Sequence, residues 1–149
     1  MNNLSYFFDF FLVVFYVIMA YQDIRYKFIS GKFLIIMGFY LISLKIYLEI
    51  NIFGYVNLKD VLFGIIPGIF IYIISILSDE KIGKGDGIII LLTGVLFGGL
   101  TTIFALGISL FVISLFGVTL ILLRKYKRNL KIPFIPFFSV GILITEVLL

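Results

Sequence analysis

The stretch that decides the fold is GIIILLTGVLFGGLTTIFALGISLFVISLFGVTLILL, residues 87–123, which has no charged side chain over 37 residues. As a single helix it would extend for about 55 Å at 1.5 Å per residue. The hydrocarbon core of a membrane is only about 30 Å thick. Two helices joined by a tight turn fit better, and Gly98-Gly99, followed by Thr101-Thr102, is the natural place for that turn. We therefore predict two membrane crossings here.

The composition of the whole chain supports a membrane protein. Of 149 residues, 62% are hydrophobic and 13% are charged, and the mean hydropathy is +1.24. Soluble domains are about 45–50% apolar, and a chain of this length leaves much of its surface exposed. These values exclude a soluble enzyme, a disordered chain and a coiled coil.

Charged residues divide the rest of the chain into four more apolar segments. These segments are approximately Leu4–Tyr21, Phe33–Leu48, Val61–Ser78 and Ile132–Leu149. Each has nearly the length of about 20 residues that a membrane-spanning helix needs. We predict an all-α membrane protein, a polytopic bundle of about six transmembrane helices that forms one domain over residues 1–149.

Basic residues predict the orientation of this bundle. Residues 21–32, 79–86 and 124–131 contain ten of the Lys and Arg residues, and the opposite side has only Lys45 and Lys59. The positive-inside rule places the ten in the cytoplasm. We therefore expect a multi-pass protein of the cytoplasmic membrane with both termini outside. The net charge of +4 fits contact with membrane lipid, and we expect no nucleic-acid partner.

Two missing residue types limit the chemistry. The chain has no Cys and no His, which excludes disulfides, Cys nucleophiles, the usual zinc sites and a Ser-His-Asp triad. Hydrolysis would have to use carboxylates, Lys, Tyr or Ser.

Two aspartates are the candidate catalytic residues. Asp23 closes the first apolar segment and Asp86 opens the uncharged stretch 87–123, so both fall on the side predicted to be cytoplasmic. Two carboxylates that meet across a helix interface share a proton. Such a pair activates water and protonates a scissile carbonyl, as in aspartic proteases. This chemistry needs no metal, and we expect no cofactor.

Glycines precede the second aspartate in Gly83-Lys84-Gly85-Asp86. They would let a substrate backbone approach the carboxylate and let the loop adopt a positive φ before the helix starts. The alternative interpretation is that Asp86 caps a helix near its N-terminus. For Asp23 the alternative is an anchor at the membrane interface.

Three segments together resemble the type IV prepilin peptidases, which are aspartic membrane proteases. Asp23-Ile24-Arg25-Tyr26-Lys27-Phe28-Ile29 resembles the first aspartate motif of that family. Glu80-Lys81-Ile82-Gly83-Lys84-Gly85-Asp86 resembles the second, Glu-x-x-Gly-x-Gly-Asp. Ile132-Pro133-Phe134-Ile135-Pro136-Phe137 resembles the Ile-Pro-Phe-x-Pro-Phe segment. The order and the predicted topology also agree, and the resemblance covers nearly the whole chain.

The sequence departs from the family pattern in three places. Ser30-Gly31 follows Ile29 where the family usually has Pro-Asn, and Ile88 stands where the family often has Lys. These differences put substrate detail in doubt. The chain also lacks the cysteine-containing insert linked to N-methylation in many members, so we expect no methyltransferase activity.

The resemblance implies a function in type IV pilus assembly or protein secretion. The substrate would be a prepilin or pseudopilin-like protein with a short basic leader before a hydrophobic helix, cleaved at the cytoplasmic membrane face. Asp23 and Asp86 would form the catalytic dyad, and Gly83 and Gly85 would shape the active-site loop.

The resemblance gives the other motif residues supporting roles. Glu80 would attract the leader or brace the loop, or it is simply a solvated acid. Arg25, Lys27, Pro133 and Pro136 would contact substrate or support the motifs, and helix punctuation is the alternative for the prolines.

Other functions remain open from the sequence. A small transporter or channel could use the aspartates as ion sites, and a noncatalytic assembly subunit could use them structurally. A presenilin-like protease also uses Gly-x-Gly-Asp, but the Asp23 motif and the Ile-Pro-Phe-Ile-Pro-Phe segment favour the prepilin peptidases. The sequence does not determine the oligomeric state.

Overall fold

The chain forms a bundle of six α-helices in a computed structural model that describes residues 3–78, 83–123 and 132–148. The helices are α1 (Asn3–Tyr26), α2 (Gly31–Phe53), α3 (Leu58–Leu77), α4 (Lys84–Phe97), α5 (Gly99–Leu122) and α6 (Ile135–Leu148). No strand occurs within these ranges. The prediction of an all-α membrane bundle is confirmed, and the number of helices is the predicted one.

Helix length separates two classes within the bundle. Helices α1, α2, α3 and α5 are long and apolar enough to cross a membrane. Helices α4 and α6 have 14 residues each, about 21 Å of helix, so neither spans a hydrocarbon core of about 30 Å by its helical part alone. Of the six predicted crossings, four thus correspond to helices that are long and apolar enough to cross a membrane.

The short helix α4 lies at the centre of the bundle. It contacts α2, α3 and α5, and the hydroxyl of its buried Thr93 forms a 2.7 Å hydrogen bond with Tyr16 of α1. Ile89 and Ile90 of α4 are buried with Phe15 of α1 in the core. The other contacts join α1 to α2 and α6, and α5 to α3 and α6. This arrangement makes α4 the helix that most of the others surround.

Glycines let α3 and α4 approach until their backbones touch. A Cβ built at Gly94 would lie 1.8 Å from the Gly64 carbonyl oxygen, and one at Gly68 would lie 2.4 Å from the backbone of Leu91. Small residues allow membrane helices to pack this closely. We call the contacts of Gly64, Gly68, Gly87 and Gly94 across this interface the glycine seam.

The predicted turn in the long apolar stretch is present, with one difference. Gly98 lies between α4 and α5 with φ 83°, a conformation that favours glycine. Gly99, Thr101 and Thr102 belong to α5 rather than to the turn. Asp60 holds this junction, because its Oδ1 accepts a 3.0 Å hydrogen bond from the Gly99 N–H.

The first helix is longer than predicted. The charged residues predict a span that ends at Tyr21, but α1 continues to Tyr26. Lys27, the residue after the helix, adopts φ 50° and donates its N–H to the Asp23 carbonyl at 3.1 Å, as in a left-handed helix cap. Asp23 therefore lies in the last turn of α1, and the helical backbone fixes the direction of its side chain.

Candidate active site

Asp23 is held at the N-terminus of α6. Its side chain is buried, with the residue 8% exposed, and Oδ2 accepts a 2.8 Å hydrogen bond from the Ile135 N–H. The backbone of Phe134 provides a second hydrogen bond. The positive end of a helix and its free N–H groups suit an ionised carboxylate. This carboxylate is therefore fixed by two helices that are distant in sequence.

The prolines of the third motif determine which N–H groups reach Asp23. Pro133 precedes α6 and Pro136 lies in its first turn, where a missing N–H leaves no backbone acceptor unsatisfied. Phe134 and Ile135, between them, retain their N–H groups and donate to Asp23. The prolines thus punctuate the helix, as one interpretation held, and also flank the two donors. This role of Phe134 and Ile135 is not among the predictions from the sequence, although the paired prolines could have indicated it.

Asp86 occupies the first turn of α4, outside the four candidate spans. The helix begins after Gly83, and the Asp86 carboxylate interacts with the Gly83 N–H. The Asp86 N–H in turn donates to the Gly83 carbonyl at 3.1 Å. This reciprocal arrangement resembles a capping box, so the capping interpretation describes part of what Asp86 does.

The structure brings Asp23 and Asp86 together. The pKa of Asp86 is raised from 3.8 to about 7, chiefly by burial and then by the nearby charge of Asp23, while the hydrogen bond from Gly83 opposes the rise. Two carboxylates that share a partly desolvated site do not both ionise readily. The pair therefore holds one proton near neutral pH, with Asp86 as the group whose pKa favours carrying it.

The glycines of the second motif do not adopt the conformation predicted for them. Gly83 has φ −65° and ψ 128°, and Gly85 is already inside α4. The expectation of a positive φ before the helix is therefore wrong, because ordinary extended backbone leads into α4. Space is limited instead: a Cβ at Gly83 would lie 3.1 Å from Asp86 Oδ2, and one at Gly85 would lie 2.8 Å from Cδ1 of Ile29. Ile29 brings the first motif into contact with the second.

The two basic residues of the first motif have different surroundings. Arg25 is exposed, donates to the Tyr21 hydroxyl and lies 5.8 and 5.7 Å from the ring centres of Tyr21 and Tyr26, a cation–π arrangement. The positive charge of Lys27 interacts favourably with Asp23. Lys27 thus stands beside the dyad, while Arg25 is engaged with aromatic rings at the end of α1.

Some predicted residues lie outside the part of the chain that the structure describes. Glu80 falls in residues 79–82, and the five basic residues that contribute most to the predicted orientation fall in residues 124–131. Their predicted roles stay predictions.

The remaining acidic residues lie away from the dyad. Glu49 pairs with Lys45 at 3.3 Å, and the Lys45 ammonium also donates to the Val95 carbonyl near the end of α4 at 2.6 Å. Asp9 and Glu146 interact with each other at the end of α1 that is opposite to Asp23. Among the described residues, no group of three or more His, Cys, Asp or Glu side chains is arranged to hold a metal ion.

Comparisons with family models, curated proteins and solved structures give no match to this chain.

Proposed function

We propose that this protein is an aspartic endopeptidase of the prepilin-peptidase type, which removes short basic leaders from prepilin-like proteins. The observation that carries the proposal is the pair formed by Asp23 and Asp86, two carboxylates from separate helices that interact at one end of the bundle. The motif resemblance and the absence of His and Cys from the chain support the same chemistry.

The different surroundings of the two carboxylates support different roles. Asp23 accepts backbone hydrogen bonds and acts as the base that takes a proton from water. Asp86, with a pKa raised to about 7, carries the proton that is donated to the scissile carbonyl oxygen. The water oxygen bonds to the carbonyl carbon and gives a gem-diol. The C–N bond then breaks: the leaving amine takes the proton that Asp23 received from water, and one diol hydroxyl returns its proton to Asp86 as the carbonyl re-forms, which restores the starting pair. No metal or cofactor enters this sequence.

The same proposal includes the location of the reaction. We place the protein in the cytoplasmic membrane as a multi-pass protein, with both termini outside and the dyad facing the cytoplasm. The four apolar helices support membrane embedding, and the distribution of Lys and Arg supports the orientation. Lys27, beside Asp23, is then positioned at the cytoplasmic boundary.

Leader removal tests the proposal directly. The chain is co-expressed with prepilins from the same source organism, and loss of the leader is followed by mass spectrometry. Asp23→Asn and Asp86→Asn should each reduce cleavage by at least about 10³-fold, since losing either member removes acid–base catalysis. Asp60→Asn is the matched control, because Asp60 contacts Gly99 and not the dyad, and it should cleave at the wild-type rate.

Two outcomes would overturn the proposal. One is full cleavage by either dyad variant, which would show that the pair is not the catalytic group. The other is no cleavage of any prepilin by the wild-type protein, which would favour the transporter or assembly-subunit alternatives.

A further inference from the structure

The connection between α1 and α2, residues 27–30, is tied to the last turn of α1 at both of its ends. The Lys27 N–H donates to the Asp23 carbonyl at 3.1 Å. The Ser30 N–H donates to the side-chain oxygen Oε1 of Gln22 at 2.9 Å. Because Gln22 and Asp23 are consecutive residues, the connection folds back on the turn of α1 that carries the first catalytic aspartate.

Gln22 gives the Ser30 N–H a partner that α2 does not provide. Ser30 is the N-cap residue of α2, and its own side chain makes no capping hydrogen bond. In a capping box, a Glu or Gln three residues later accepts the N-cap N–H, but that position is Phe33 here. The oxygen of Gln22, from the preceding helix, takes its place. Loss of Gln22 would therefore release the α2 end of the connection while the α1 end stays tied.

Ile29, inside the connection, lies against the first turn of α4. A Cβ built on Gly85 would lie 2.8 Å from Cδ1 of Ile29 and 3.3 Å from its Cβ. The backbone sets the position of a Cβ, and a β-branched side chain is restricted in χ1. This contact therefore depends on the position of the connection's backbone, and rotation of the Ile29 side chain cannot preserve it.

The first turn of α4 is held from two sides. Gly87 faces α3, because a Cβ there would lie 2.8 Å from the backbone of Tyr72. Gly85 and Gly87 are two residues apart, which is about 200° around a helix, so Ile29 contacts α4 on a side nearly opposite to α3. Asp86 lies between the two glycines in sequence. The rotation of α4 that brings the two carboxylates together is thus fixed by α3 on one side and by Ile29 on the other.

We propose that Gln22 is a positioning residue for the catalytic dyad. By holding the Ser30 N–H, it keeps Ile29 packed on the first turn of α4, and this packing fixes the place of Asp86. Gln22 acts through the connection and does not touch the substrate. This inference rests on the proposed peptidase function, but the contact between the connection and α4 can be measured without a substrate.

The first test measures that contact by disulfide formation. The chain has no Cys, so Ile29→Cys and Gly85→Cys introduce the only two thiols. The 3.3 Å between the two Cβ positions is close to the 3.5–4.5 Å found across a disulfide, so oxidised glutathione should close the bond. Adding Gln22→Ala should slow closure about 10-fold, the factor that one hydrogen bond can supply. Adding Asn51→Ala is the matched control and should not slow it, because the Asn51 amide bonds only the Tyr47 carbonyl within α2. Equal rates with and without Gln22→Ala would overturn the proposal.

The second test separates positioning from stability. Gln22→Ala should lower kcat for leader removal about 10-fold and leave KM within about 2-fold of the wild-type value, whereas Asn51→Ala should change neither. Ser30 has φ −67°, a value that proline adopts, and proline has no N–H to donate. In the Ser30→Pro background, Gln22→Ala should therefore have no further effect on kcat. An equal loss of kcat from Gln22→Ala in both backgrounds would overturn the proposal.

The two tests distinguish this inference from the proposed function. If the wild-type protein removes no leader, the peptidase proposal fails, and the oxidation rates still decide whether Gln22 holds the connection against α4. If the wild-type protein cleaves and Gln22→Ala lowers only the melting temperature, with kcat and the oxidation rate unchanged, Gln22 stabilises the start of α2 alone and the positioning role is wrong.

Discussion

The closest backbone contact of the glycine seam makes Gly94→Ala a sensitive test of the fold. The added Cβ would lie 1.8 Å from the Gly64 carbonyl oxygen, where ordinary contact begins at 3.4 Å. Backbone atoms cannot rotate away as a side chain does, so α3 and α4 must separate by about 1.6 Å, the difference between these distances. A single methyl group therefore changes the spacing of two helices.

The expected cost follows from two opposing terms. Overpacking of this kind destabilises a protein by about 1–3 kcal/mol, and a backbone obstruction belongs at the upper end. Replacing Gly by Ala within a helix recovers up to about 1 kcal/mol. We expect a net loss of about 2 kcal/mol. Because α4 also carries Asp86, a shift of about 1 Å should lower the cleavage rate about 100-fold.

The assay is unfolding of the purified protein in detergent or bicelles, with leader cleavage measured on the same samples. Gly107→Ala is the matched control, since it is also a helical glycine and a Cβ there meets nothing within 4 Å. It should leave stability unchanged or raise it by up to about 1 kcal/mol. If Gly94→Ala is as stable and as active as Gly107→Ala, α3 and α4 do not touch at this point, and the reasoning fails.

The ionisation of Asp86 and the turn at Gly98 give further measurable expectations. The dyad must keep one proton, and the pKa of Asp86 is raised to about 7. Leader removal should therefore decline as the pH rises above about 7. A constant rate up to about pH 9 would contradict the shared proton. The folded protein retains this proton where the unfolded chain, with a pKa of 3.8, has lost it, so the free energy of unfolding should fall between about pH 4 and pH 7. The rise in pKa from 3.8 to about 7 limits this loss of stability to about 4 kcal/mol. Asp86→Asn should flatten the pH dependence in melting curves, and equal pH slopes for the two proteins would argue against a protonated Asp86. Gly98→Ala would bring a Cβ to 2.0 Å from Asp60 Oδ2 at a φ of 83° and should destabilise the protein by about 1–3 kcal/mol, whereas Gly31→Ala, with nothing within 4 Å, should be near neutral in the same assay.

The sequence allowed the helices to be placed, but their ends were less certain. The uncharged stretch from residue 87 to 123 predicted two helices and a turn, and the turn is at Gly98. The charged residues after Tyr21 suggested the end of a span, yet α1 runs through them to Tyr26. Charge marks the edge of the hydrocarbon region, whereas a helix ends where its backbone hydrogen bonds end, and these two limits need not coincide.

The candidate site was predicted in part. Asp23 and Asp86 were selected because carboxylates at membrane boundaries are costly and carry the chemistry that a chain without His or Cys can use. The anchor of Asp23 was not predicted, since its donor is the backbone N–H of Ile135, 112 residues away. Every residue except proline has the same backbone N–H donor, so the sequence does not show which of these donors reaches Asp23.

The sequence by itself determined the class of protein, the number of helices, the turn at Gly98 and the limits on the chemistry. These features depend on composition and on local preferences, which each segment carries alone. Only the tertiary structure decided that Asp23 meets Asp86, that Gly64 touches Gly94, and that Ile29 lies against Gly85. The physical reason is that helices in a membrane are apolar towards the lipid as well as towards each other, so hydrophobic periodicity does not reveal which faces meet.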